Sequence, residues 1–131
     1  MKYADYFPND LFINRETGTE PSIVSGVTIN GLIDCIHKVT IEKDVFTGHD
    51  VMILTGSHDW TKFGKERKLS TTGGPITIHE GVWIASRVII LGPCEIGKHS
   101  VIGAGSVVTH DIPACQLWAG NPARFIKEIP H

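Results

Sequence analysis

Residues 75–113 read PITIHEGVWIASRVIILGPCEIGKHSVIGAGSVVTHDIP, and this stretch carries a meter of six. Ile78, Ile84, Ile90, Ile96, Ile102 and Val108 fall six apart, and four residues after each comes Val82, Val88, Cys94, Ser100, Ser106 or Ile112. An amphipathic helix places its apolar residues at i, i+3, i+4 and i+7, and a simple strand alternates every second residue; neither produces a strict six. A six-residue unit fits a short strand plus a sharp bend, with the first residue pointing inward and its small companion filling the corner. Three such units close a triangular coil of 18 residues, and coils stacked about 4.8 Å apart pair their strands in parallel.

The meter extends upstream through Ile23, Ile29, Cys35, Ile41, Thr47 and Ile53, with companions Val27, Ile33, Val39, Val45, Val51 and Ser57. It stops at the polar, basic stretch from Asp59 to Thr71 and is expected to resume at Thr72 with Ile76 as companion. Ten of these thirteen hexads begin with Ile or Val, too regular a register to be accidental. The expected organisation is therefore a cap over residues 1–22, a hexapeptide-repeat prism over 23–113 with a loop extruded at about 59–71, and a C-terminal extension over 114–131. Within the cap, NDLFINRETG reads as a short turn or helix ended by Gly18. Gly97, Gly103 and Gly105 sit beside inward positions or in bends, where close backbone approach or positive φ is expected.

At 131 residues the chain fits one domain. A net charge of −2 provides no global basic field for nucleic acid or an anionic membrane. Cys35, Cys94 and Cys115 make an odd count with no CxxC spacing, which argues against a disulfide framework or a zinc knuckle and fits a reducing cytoplasm. The opening MKYADYFPND lacks the apolar run of a signal peptide, and no segment approaches the roughly 18 apolar residues of a membrane span.

VWIAS at 82–86, GAGSVVTHDIP at 103–113 and WAGNPARFIK at 118–127 together closely resemble the hexapeptide-repeat acyltransferases, in particular the sugar O-acetyltransferases related to galactoside, maltose and polysaccharide-modifying enzymes. The resemblance implies an all-β, left-handed parallel β-helix, a homotrimer with active sites between neighbouring prisms, and acetyl-coenzyme A as donor, with no metal. It also implies coenzyme A contacts at Ala85, Ser86, Ala104, Thr109 and Arg124, the last meeting a phosphate with its guanidinium fork. Ala85 stands where the family usually has glycine, and His110 where lysine is common. Counting coils with the insertion omitted places the Ile53, Ile84 and Ile102 hexads on one face, with Ser86 and Ala104, 18 apart, one above the other. Such a file of small residues suits an extended pantetheine arm running along exposed backbone.

Of seven histidines, His58 stands apart. It closes the last hexad before the insertion, and TGSH followed by a long excursion and PITI matches where the resembled enzymes carry their catalytic histidine. The implied role is general base toward an acceptor hydroxyl. Asp59 and Asp50 are the nearby candidates to orient it, and backbone N–H groups near Ala85 or Ser86 are candidates for the oxyanion. Asn30, Trp60 and Trp83 are the expected acceptor contacts. The arm's Lys62, Lys65, Arg67 and Lys68 make a local positive patch, with Trp60 and Phe63 expected to anchor it on a neighbouring subunit.

The leading expectation is an acetyl-coenzyme A-dependent O-acetyltransferase acting on a sugar or sugar-containing precursor. A near variant is N-acetylation of a nucleotide-linked amino sugar, for which a neutral amine needs no histidine base. A carbonic-anhydrase-like prism would need three converging histidines, and His37 and His58 share a face while His79 and His99 lie on another. A non-catalytic prism, ice-binding for example, would want flat threonine files, and Thr28, Thr40 and Thr77 are not expected to stack.

Overall fold

The computed structural model describes residues 10–14 and 19–131. It is a three-sided parallel β-helix, as the meter of six requires. Each side is a ladder of short strands, one per coil. The first, here the aliphatic face, stacks Leu11–Asn14, Gly31–Asp34, Val51–Leu54, Ile89–Leu91 and Val107–Val108. The second, the polar face, stacks Ser22–Ile23, Val39–Ile41, Ile76–Ile78 and Cys94–Ile96. The third, the aromatic face, stacks Phe46–Thr47, Trp83–Ile84, Val101–Ile102 and Gln116–Gly120, the last of these turning back in an antiparallel hairpin with Ala123–Glu128.

Side chains alternate across each short strand, so the residue beside an inward one is outward. Inward, Ile41, Ile78 and Ile96 stack on one side, Ile33, Ile53, Ile90 and Val108 on the next, and Thr47, Ile84 and Ile102 on the third. All the isoleucines named are fully buried, each worth about 1.5–3 kcal/mol relative to exposure. Polar residues on inward positions are satisfied by the wall itself. The Ser100 hydroxyl donates to Pro113 O and accepts from Gln116 N, and that of Ser106 donates to Gly103 O and accepts from Gly120 N. Two hexad serines thus stitch the prism to its C-terminal hairpin.

Two corners are pinned by left-handed backbone. Between the polar and aromatic faces, Gly26, Asp44, Gly81, His99 and Cys115 all have positive φ, and between the aromatic and aliphatic faces Asp50, Arg87 and Gly105 do. A sharp bend repeated at a fixed place in every coil demands that conformation, which glycine adopts without strain and aspartate tolerates. Gly97 and Gly103 serve close approach instead: a Cβ would lie 2.3 Å from Ala114 N and 2.9 Å from the Ala119 Cβ respectively.

The structure departs from the regular meter in four ways. First, Leu11–Asn14 is not a turn or helix but a strand paired in parallel with Gly31–Asp34, so the prism begins inside the segment expected to be a cap; the expected end at Gly18 lies outside the described residues. Second, the register slips by two at Cys35. Ile33, not Cys35, stacks under Ile53, because the first coil cuts its aromatic–aliphatic corner short at Asn30–Gly31. Gly31 is essential to that shortcut: φ is +151°, and a Cβ would collide with Val51 O at 1.8 Å. Third, Thr72 and Ser57 are not prism positions. They pair with each other across an antiparallel root, Gly56–Ser57 with Thr72–Gly73, from which the insertion projects. The excursion therefore starts nearer Gly56 and ends nearer Gly74 than 59–71. Fourth, that extra hexad had shifted the face count: Ile53 lies on the aliphatic side, whereas Ile84 and Ile102 lie on the aromatic side.

Among the described residues no helix is long and apolar enough to cross a membrane. Cys35, Cys94 and Cys115 are all buried, and none forms a disulfide. Thr40 and Thr77 stack on each other, but their file runs Ser22, Thr40, Thr77, Glu95, and Thr28 pairs with Phe46 on another side, so the three threonines form no contiguous file.

Candidate active site

The insertion leaves the corner between the aliphatic and polar faces. In the next coil Ile90 and Cys94 bridge that corner four residues apart, whereas Ile53 and Ile76 are 23 apart, and the excess forms an arm. Its tip is a short helix, Gly64–Leu69, with no buried residue. The arm is nonetheless ordered by its own bonds. Arg67 Nε donates to Lys62 O at 2.6 Å and Nη2 to Trp60 O at 3.0 Å, with the guanidinium 5.5 Å from the centre of the Phe63 ring. The Ser70 hydroxyl donates to Arg67 O and accepts from Asp59 N.

His58 stands at the arm's root, exposed, with Nδ1 2.7 Å from the carbonyl oxygen of Ser70. A carbonyl can only accept, so Nδ1 carries the proton, and in the neutral ring Nε2 is left as a lone pair. That is the tautomer a general base needs. Neither aspartate orients the ring. Asp59 accepts from the amide and hydroxyl of Thr61, which hold its carboxyl below the usual aspartate range, and Asp50 sits at another corner 3.9 Å from Arg87. The orienting group is a backbone oxygen twelve residues away, which no reading of side-chain types could have found. Next to His58, Leu54, Gly56, Ser57, Leu91, Gly92, Pro93 and Thr109 line a cavity of about 340 Å³.

The other expected site residues divide between corners. Ser86 and Ala104 do lie one above the other, between the aromatic and aliphatic faces, since Ile84 pairs with Ile102 and Gly105 N donates to Ser86 O. They lie across the aliphatic face from His58, not on the same file with it. The backbone there is mostly engaged in the ladder: Ala85 N donates to Ile102 O and so is closed to an oxyanion. The Ser86 hydroxyl accepts from His49 N, over a Gly48 whose Cβ would sit 2.2 Å from it. Thr109, by contrast, shares His58's corner, its hydroxyl 2.8 Å from His110 Nδ1. Arg124 lies on the C-terminal hairpin, register neighbour of Ala119.

The three expected acceptor contacts also separate. Asn30 is 5% exposed, its N–H donating to the Thr47 hydroxyl and its Oδ1 accepting from Asp10 N. It holds the short corner, and its Nδ2 is buried with no hydrogen-bond partner among the described residues. Trp83 is half exposed on the aromatic face, stacked on Phe46 at 6.0 Å and 11°. Trp60 projects from the arm, 81% exposed.

With this geometry in view, comparison with known proteins is specific. The sequence model of the family described as "Bacterial transferase hexapeptide (six repeats)" matches residues 75–110. Galactoside O-acetyltransferase of Escherichia coli is 46% identical over 97 residues, covering 71% of this chain and 45% of that one. A hexapeptide-repeat-containing acetyltransferase of Vibrio cholerae, solved in complex with acetyl-coenzyme A, superposes with a TM-score of 0.79 at 26% identity, over 94% of this chain and 73% of that one. A maltose O-acetyltransferase of Clostridium difficile gives a TM-score of 0.63 at 28% identity, over 92% and 67%. The chain spans about half the length of the curated relatives it matches. The repeat, the solenoid and these likenesses agree, and the chain belongs to the hexapeptide-repeat acyltransferase family, with the left-handed β-helix that the resemblance implied.

Proposed function

We propose that this protein transfers an acetyl group from acetyl-coenzyme A to a hydroxyl of a sugar or sugar-containing precursor, with His58 as general base. The observation that carries the reading is the His58 Nδ1–Ser70 O bond, which leaves Nε2 unprotonated on the residue that follows Ser57 of the cavity wall. Nε2 takes the proton of the acceptor hydroxyl as its oxygen attacks the thioester carbonyl. The carbon–sulfur bond then breaks, and the imidazolium returns the proton to the departing thiolate. Similarity to galactoside and maltose O-acetyltransferases supports a sugar acceptor, and the acetyl-coenzyme A held by the Vibrio protein supports the donor.

Ala85, Ser86, Ala104, Thr109 and Arg124 are assigned to coenzyme A, with Trp83 and Trp60 beside the acceptor. Because Ser86 and Ala104 stand at one corner and His58 at another, a single chain does not gather them, and a neighbouring copy completes the site. The outward residues fit a closed ring, which requires two different surfaces of each copy to meet. Phe12, Leu32, Met52, Ile89 and Val107 make one face aliphatic, Phe46, Trp83, Val101 and Leu117 make another aromatic, and Thr40, Thr77 and Glu95 leave the third polar. A homotrimer is the assembly we assign, working in the cytoplasm, where acetyl-coenzyme A and three cysteines without a disulfide belong together.

The test is acetyl-coenzyme A turnover against a panel of sugars, nucleotide sugars and amino sugars, with His58→Ala alongside. A loss of about 10²- to 10⁴-fold on hydroxyl acceptors is expected. Undiminished turnover on every acceptor would overturn the reading, and retention on amines alone would favour N-transfer. Mixing His58→Ala with Ala104→Trp subunits should restore part of the rate, because some interfaces then carry two intact halves.

A further inference from the structure

The basic arm holds one cation that does different work from the rest. The ammonium groups of Lys62, Lys65 and Lys68 make no hydrogen bond or ion pair among the described residues, whereas Nε and Nη2 of the Arg67 guanidinium are both taken up inside the arm. Nε reaches Lys62 O and Nη2 reaches Trp60 O, tying the outgoing turn of the arm to the helix at its tip, while the flat group lies against the Phe63 ring. Arg67 O in turn accepts the Ser70 hydroxyl, and Ser70 N donates to the carbonyls of Glu66 and Arg67. The next link is the Ser70 carbonyl itself, which receives His58 Nδ1. A continuous set of bonds therefore runs from the guanidinium through the folded arm to the imidazole.

We propose that Arg67 is a positioning residue: it folds the arm so that the Ser70 carbonyl selects the Nδ1-protonated tautomer of His58. The proposal rests on the reading of His58 as base. Without Arg67 the arm has no buried residue to hold its shape and Ser70 keeps only its bonds to Asp59 N and to the last carbonyls of the helix, so its carbonyl would loosen opposite Nδ1 and the proton would distribute over both ring nitrogens. Only the fork geometry of arginine supplies two separate N–H donors together with a flat face for the aromatic ring; a lysine ammonium carries the same charge without that shape.

The experiment is direct. In full-length protein with ¹⁵N-labelled histidine, long-range ¹H–¹⁵N correlation spectra report which nitrogen of His58 bears the proton, and steady-state kinetics are measured on the same samples. Arg67→Ala and Arg67→Lys should both shift His58 toward a tautomer mixture and lower kcat roughly 10-fold, with KM for the acceptor little changed, while the melting temperature stays that of the wild type. A wild-type tautomer in Arg67→Ala would overturn the proposal. So would rescue of kcat by Arg67→Lys, or a loss confined to KM, either of which would make Arg67 a charge that binds the acceptor. The spectra are read without turnover, so failure of His58 as base, seen as intact activity in His58→Ala, is distinguishable from failure of Arg67 to position it.

Discussion

The prism and the arm are ordered by opposite means. In the prism, inward Ile, Val and Cys residues are buried almost without exception, and the main chain is laddered coil to coil. In the arm no helical residue is buried, and Trp60, Phe63 and Leu69 are 81%, 80% and 67% exposed, yet hydrogen bonds from Arg67, Ser70 and Asp59 hold the chain in one shape. Hydrophobic burial sets the stability of the first; local polar bonding sets only the conformation of the second. The fold and the chemistry should therefore be separable.

The sharpest way to break the comparison is to remove the arm. Replacing residues 59–71 by Asn-Gly, which leaves a three-residue hairpin loop, His58-Asn-Gly, with glycine last between Ser57 and Thr72, should lower turnover by more than about 10²-fold, because the Ser70 carbonyl that holds His58 is gone. Circular dichroism and the melting temperature should barely move. If the protein unfolds instead, the arm is part of the core and the separation fails. Next, Ile84→Ala should cost about 2–5 kcal/mol in urea denaturation, because a coil clamped above and below cannot collapse around the cavity. A loss under 1 kcal/mol would mean the prism tolerates voids.

A smaller effect reads polar bonding on the prism's own surface. His79 Nδ1 lies 3.1 Å from Glu42 and Nε2 2.8 Å from Glu95, so the ring spans carboxylates from the coils on either side. The bond to Glu95, and then that to Glu42, raise its pKa above the ordinary histidine value against a modest opposing burial. A raised folded pKa stabilises fully below the unfolded value near 6.5 and loses that contribution as pH climbs through the folded value. Relative to His79→Gln, the wild type should thus melt higher at pH 5.5 and lose about 1–3 °C of that advantage by pH 8.5, a modest amount for a third-exposed group. An advantage that does not vary with pH would show the pair of carboxylates to be inert. Smallest of all, Lys65→Ala, on the arm's open surface, should change stability by less than about 0.5 kcal/mol.

What could be read in the sequence follows the same division. The meter from Ile78 to Val108 is enforced by packing between identical coils, and residue types report packing faithfully. Where the chain departs from that rule, the letters mislead. Cys35 occupies the beat, but the short corner at Asn30–Gly31 hands the stack to Ile33. Thr72 keeps time with the repeat, yet it belongs to the arm's root, and counting it moved His58 onto the wrong face. Leu11–Asn14, outside any hexad, is a prism strand because Gly31–Asp34 offers it an open edge. His58 could be singled out by its motif and its place at the insertion. The Ser70 carbonyl could not, since backbone groups carry no letter of their own.

The ladders of left-handed residues bear on how such a protein can change. At Asp44–Gly81–His99 each coil turns in the same few atoms, and at Asp50–Arg87–Gly105 all but the shortened first coil do, so those two corners hold the length of chain that passes them nearly constant. Among the described residues the third corner carries no left-handed one outside the arm, and there the spacing between inward residues is already unequal: six from Ile33 to Val39, 23 from Ile53 to Ile76, four from Ile90 to Cys94. It is a splice site in the architectural sense. Segments of other length and chemistry fit there without disturbing the register of the coils on either side, so the edge that carries His58 is the one free to vary.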